Sequence, residues 1–130
     1  MHLLLLACLG GAIGSGARYL LNVAAARAFG PAFPWSTLIA NVTGCFIMGL
    51  LAGWLALRPA DLSPDAMTLR VFLATGILGG FTTFSAFSLD FATLIQRGDT
   101  AAALGYVTAS VGVSLAAVFA GLWLARGVLS

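Results

Sequence analysis

Four long apolar stretches, divided by short polar or proline–glycine clusters, organise this chain. The first covers residues 3–28 and ends at a cluster holding Gly30, Pro31 and Pro34. The second covers residues 35–57 and stops at Arg58 and Pro59. A polar connection over residues 58–70, with Asp61, Pro64 and Asp65, precedes the third stretch, residues 71–96. Only Arg97, Gly98, Asp99 and Thr100 separate that stretch from the fourth, residues 101–125. Each exceeds the roughly 20 residues an α-helix needs to cross hydrocarbon. The pattern predicts an all-α integral membrane protein, a single domain over residues 1–130 with four transmembrane helices. Tight connections make neighbouring spans antiparallel and leave both termini on one side.

Composition agrees with the pattern. Hydrophobic residues make up 61% of the chain and charged residues 8%, with a mean hydropathy of +1.05. A soluble domain carries about a quarter charged residues. Every basic residue is an arginine and every acidic one an aspartate, for a net charge of +2. That charge is too small and too dispersed for a nucleic-acid surface. Cys8 and Cys45 lie within apolar stretches without CxxC spacing, and read as packing residues. The single histidine is His2, so no nucleophile–base–acid set can be assembled and an enzyme is not expected. The first apolar run has no basic residue before it apart from His2, which argues against a signal peptide. The glycines of residues 10–16 lack the Lys-Ser/Thr of a phosphate loop and lie inside a span.

The third stretch contains GGFTTFSAF, residues 79–87. Each glycine weakens a helix by about 1 kcal/mol relative to alanine, so the span is expected to break near its middle. Inside a bilayer the freed backbone groups must face protein or an aqueous path. Polar residues on other spans form lines. Thr37 and Asn41 are four apart on the second, and Tyr106, Ser110 and Ser114 continue at steps of four on the fourth. Interhelical hydrogen bonding would account for any one of them. Together with Thr82, Thr83 and Ser85 they make a continuous set of donors able to replace an anion's hydration shell. Phe81, Phe84, Phe87 and Phe91 fall on one side of a helix. Such a stripe either packs or turns the positive edges of its rings toward a small anion.

Arginines balance across the two faces. Arg58, Arg70 and Arg126 fall on one, and Arg18, Arg27 and Arg97 on the other. The positive-inside bias therefore has nothing to act upon, and the chain is expected to insert both ways round and pair as an antiparallel, dual-topology homodimer. Gly10 with Gly14, and Gly49 with Gly53, are GxxxG pairs that suit close helix packing, within one subunit or between two.

Three segments resemble the Fluc (CrcB) fluoride channels. GGAIGSGARY (residues 10–19) is similar to that family's first-span pattern, PWSTLIANVTG (residues 34–44) to its second and GGFTTFSAF to its broken third span. The resemblance covers essentially the whole chain. It implies a passive fluoride channel of the cell membrane: an antiparallel homodimer with two pores and a structural sodium ion at its centre. It places the fluoride pathway on Arg18, Asn41, Phe84, Phe87, Tyr106, Ser110 and Ser114, to which the polar pattern itself adds Thr37 and Ser85. It places the sodium ligands on the backbone carbonyls of Gly79 and Thr82, hard oxygen donors suited to such an ion. Two positions depart from the family pattern. Ser36 stands where glycine is usual, and Ala86 where threonine or serine is common.

A small proton-coupled multidrug exporter is the main alternative, and a non-transporting assembly subunit another. An exporter needs a membrane-embedded carboxylate. Asp90 is the sole candidate, with Arg18 or Arg27 as possible partners.

Overall fold

The computed structural model describes residues 1–57 and 63–129. Arg58, Asp61 and the first part of the expected polar connection lie outside the described residues. The described chain is all-helical. Helix α1 covers His2–Phe29, α2 Trp35–Ala56 and α3 Pro64–Arg70; a π-helical stretch, Val71–Leu78, continues into the short α4, Gly79–Phe81. Helix α5 covers Phe84–Gln96 and α6 Thr100–Leu129. Four helical segments are long and apolar enough to cross a membrane: His2–Phe29, Trp35–Ala56, Pro64–Gln96 and Thr100–Val128.

The third span starts earlier than expected, because part of the polar connection is itself helical. Ser63 caps α3 by accepting from Ala66 N (3.3 Å). Pro64 occupies the first turn and Asp65 complements its dipole. These are start signals that polarity concealed. The turns between spans need left-handed backbone. Gly30 ends α1 at φ 76° and Gly98 ends α5 at φ 78°, which glycine adopts without steric cost. Asp99 Oδ1 then accepts from Ala102 N (3.2 Å) and caps α6.

Two tight helix pairs make the body: α1 lies along the π-helical stretch and α4, and α2 lies along α6. Both GxxxG pairs are spent inside the chain. A Cβ at Gly10 would meet Phe72 O at 2.6 Å, and one at Gly14 would overlap Ile77 O. A Cβ at Gly49 would overlap Val118 O, and one at Gly53 would meet Ala125 Cβ at 2.6 Å. Backbones approach closely because no side chain intervenes. Little is fully enclosed. Leu94, Ala103 and Tyr106 form a buried knot, flanked by Phe33, Leu38, Phe87 and Phe91. Many large apolar side chains, Leu20, Phe119 and Trp123 among them, face outward as a membrane solvent permits.

Candidate anion pathway

The third span breaks at Thr82 and Thr83, not at the paired glycines. Gly79 remains helical (φ −62°, ψ −37°). Thr82 (φ −81°, ψ 157°) and Thr83 (φ −155°, ψ 129°) are extended. Gly80 serves contact instead, since a Cβ there would meet Gly11 O at 2.5 Å. Phe81 is thereby separated from the other phenylalanines, so the expected four-ring stripe does not form. Phe84, Phe87 and Phe91 share α5, while Phe81 belongs to α4.

A side chain from α2 mends the break. Asn41 Nδ2 donates to Thr83 O (3.0 Å), and Thr83 N donates to Asn41 Oδ1 (2.8 Å). The amide thus copies a backbone pairing where the helix has none. Thr83 Oγ1 in turn accepts from Ala86 N (3.1 Å) and caps α5. Thr82 N and Thr82 Oγ1 both donate to Leu78 O, each at 2.9 Å. A helix end leaves its last carbonyls without helical partners. That of Gly79 is among them because the Thr83 N–H is turned to Asn41, and that of Thr82 because the Ala86 N–H is turned to Thr83 Oγ1.

Around this join lies a cavity of about 470 Å³, lined by Asn41, Cys45, Gly79, Phe84, Phe87, Ser110 and Ser114 among others. The Ser110 and Ser114 hydroxyl oxygens are buried without a hydrogen-bond partner. A buried unpaired hydroxyl is costly, and here each is left ready for an acceptor inside the cavity. Asn41 keeps one amide N–H beyond the one it gives Thr83. The Phe84 and Phe87 rings stand 5.4 Å apart at 46°. Phe84 is 77% exposed, so its ring leans outward from the single chain.

A second cavity, about 600 Å³, opens beside the first and is lined by Arg18, Asn22, Ser36, Thr37, Asp90 and Arg97 among others. Thr83 borders both cavities. Two guanidinium groups against one carboxylate favour anions in this vestibule. Ser36 Oγ donates to Asn22 Oδ1 (2.9 Å), tying α2 to α1 at its rim. Tyr106 joins the two spaces without lining either. Its ring lies 5.3 Å from that of Phe87 and 5.5 Å, edge-on, from that of Phe33. Its hydroxyl donates to Asp90 Oδ2 (3.0 Å).

Comparison with known proteins now bears on this arrangement. The family model described as CrcB-like protein, Camphor Resistance (CrcB), matches residues 5–122. This chain belongs to the CrcB-like family. A protein named fluoride-specific ion channel FluC from Chelativorans sp. (strain BNC1) is 58% identical over 129 residues, 99% of this chain and all of the relative. Proteins of the same name from Mesorhizobium japonicum (52%; 98% of this chain, 99% of the relative) and Paracoccus denitrificans (54%; 99% and 98%) match almost end to end. A CrcB-like chain with four such helices is a multi-pass membrane protein.

The CrcB-like fold distributes the expected pathway residues unevenly. Asn41, Phe84, Phe87, Ser110 and Ser114 share the inner cavity, with Gly79 and Thr82 in its wall. Arg18 and Thr37 belong to the vestibule. Tyr106 is fully enclosed between them. Ser85 is exposed, its Oγ 3.3 Å from Thr83 Oγ1, and is not among the residues lining either cavity. Ala86 lines the vestibule, where a hydroxyl would have added a donor. Cys45 escaped the site read from sequence, and so did the pairing of Thr83 with Asn41, since Thr83 was read only as one hydroxyl of the donor set. Thr83 is defined by a contact across 42 positions, which no local pattern encodes. Cys45 was within reach, one helical step of four beyond Asn41.

Proposed function

We propose that this chain is a fluoride-selective passive channel, working as an antiparallel, dual-topology homodimer with two pores and a structural sodium ion at its centre. The observation that carries the reading is the inner cavity. Two partnerless hydroxyls and an amide N–H share it with two phenylalanine rings. Neutral donors and ring edges bind a small anion without the fixed charge that would trap it, and conduction needs such moderate binding. Relatives of nearly equal length named as fluoride-specific channels support the same assignment. Fluoride would enter through the vestibule past Arg18, pass Thr37 and reach Asn41, Phe84, Phe87, Ser110 and Ser114. Tyr106 sets the Phe87 ring from behind, and Ser85 steadies Thr83.

The outward-leaning Phe84 and the shallow inner cavity support a second copy as the missing wall. The carbonyls freed at Gly79 and Thr82 suit a sodium ion, a hard cation that would pin the two breaks together. Physiologically such a channel lets fluoride leave after HF has entered uncharged and dissociated inside the cell.

Efflux of fluoride and of chloride from liposomes holding the purified protein tests the proposal. Fluoride is expected to leave and chloride to stay. Phe87→Ile keeps bulk but removes the ring quadrupole, and is expected to abolish fluoride efflux while the protein still elutes as the parent does. Phe72→Ile, on the π-helical stretch outside the inner cavity, is expected to conduct nearly normally. Parent-like conduction by Phe87→Ile would make the rings packing residues.

A further inference from the structure

The α2 face that bears Thr37 and Asn41 continues at Cys45, a free and half-buried thiol. Cys45 borders the inner cavity together with Asn41, Phe87, Ser110 and Ser114. A thiol within a span is ordinarily a small packing group. Here the same cavity wall holds a second, independent sign of a visiting ligand. Ser110 is 5% exposed, and its hydroxyl oxygen has no partner, as is true of Ser114 Oγ. Cys8, the other thiol, lies exposed on α1 and borders none of the cavities described.

We infer that Cys45 lines the anion route one helical turn beyond Asn41, and that a soft metal ion bound to its sulfur closes that route. The inference rests on the channel reading above. Mercuric chloride is the simplest such ligand. Its reaction with the thiol forms a Cys45 Sγ–Hg bond and breaks one Hg–Cl bond and the S–H bond. Chloride leaves, the proton passes to water, and nothing is oxidised or reduced. Thiolate sulfur is a soft donor that selects metals of this class over the hard cations that carbonyls prefer. The reagent is uncharged, so it reaches the cavity from either membrane face. Once attached, the metal occupies space between the serine line of α6 and the rings of α5.

The test is fluoride efflux from liposomes holding the parent, Cys45→Ser, Cys45→Ala or Cys8→Ser. Each is measured untreated, after mercuric chloride, and again after excess dithiothreitol, and is judged against its own untreated rate. Intact mass of the single-cysteine variants, and peptide mass for the parent, locate the bound mercury. Parent and Cys8→Ser are expected to lose most of their efflux and to regain it when the dithiol takes the metal from the protein. Both Cys45 variants are expected to hold their own untreated rates. Block of the Cys45 variants to the parent's extent overturns the inference. So does undiminished efflux from a parent shown to bear mercury on Cys45, or uptake of mercury at Cys8 alone. If the untreated parent moves no fluoride, the channel reading fails and the pathway role falls with it. The mass measurement then still decides whether Cys45 is open to the cavity.

Discussion

Asn41 supplies backbone-like hydrogen bonds to a stretch of chain that has lost its own. Its donor and acceptor both meet Thr83, so either substitution of the amide has two effects at once. Asn41→Asp retains an acceptor for Thr83 N but cannot donate to Thr83 O unless protonated, and its charge repels an anion in the same cavity. We expect Asn41→Asp to lose fluoride efflux, read with an electrode on reconstituted liposomes. Asn41→Ala leaves the Thr83 N–H unpaired and is expected to cost about 1–3 kcal/mol of stability as well, measured by unfolding in detergent. At this scale the sequence was informative wherever helical spacing alone places a side chain. Asn41 with Thr37, and Ser110 with Ser114, were legible as lines for that reason. The enclosure of Tyr106 and its bond to Asp90 were not, because they depend on how α5 settles on α6.

Among the elements, the third span departs furthest from expectation, and the reason is local chemistry. Paired glycines suggested a weak point at Gly79 and Gly80. Helical backbone is nevertheless kept there by the fit of Gly80 against Gly11 on α1. The two threonines open instead, since one caps α5 and the other turns back on Leu78. A side chain at Gly79 has room, its nearest neighbour being Ala74 O at 3.5 Å, whereas Gly80 has none. The four-span architecture was readable from hydropathy, but the partner of each span was not, because every face is apolar. Close-approach glycines decide it. We expect Gly49→Ala to destabilise the protein by about 1–3 kcal/mol through forced separation of α2 and α6, seen as a lower melting temperature in detergent. Gly105→Ala, with nothing within 4 Å of the new methyl, is expected to be neutral or slightly stabilising by helix propensity.

For the molecule as a whole, orientation and assembly are the open physical variables. The sequence pattern divides the arginines evenly between the two expected faces, and the GxxxG pairs are consumed inside the chain, so the proposed second copy would dock through other surfaces. Adding two or three lysines to the connection at residues 58–70 is expected to lock one orientation. The locked form should be inactive alone and regain fluoride efflux when mixed with an oppositely biased copy, as scored in liposomes. Full activity of the locked form by itself would exclude the antiparallel pair. Complete removal of sodium from both faces and from the interior is expected to lower efflux. Thr82 side-chain variants should retain it better than changes that force the Gly80 backbone, because carbonyls rather than side chains would hold the ion.

The break also bears on how the chain enters a membrane. Helix α5 has 13 residues, about 20 Å of helix, against the roughly 30 Å of hydrocarbon to be crossed. It cannot cross alone, and at mid-span the Thr83 N–H and the carbonyls freed at the break would be bare to lipid. Asn41 removes part of that penalty only if α2 is already beside the segment. Synthesis delivers α2 first, so the second span waits in the bilayer as a template on which the third is completed. Biogenesis and the proposed permeation path then share one amide, and an insertion defect is expected to accompany the loss of transport whenever that amide is removed.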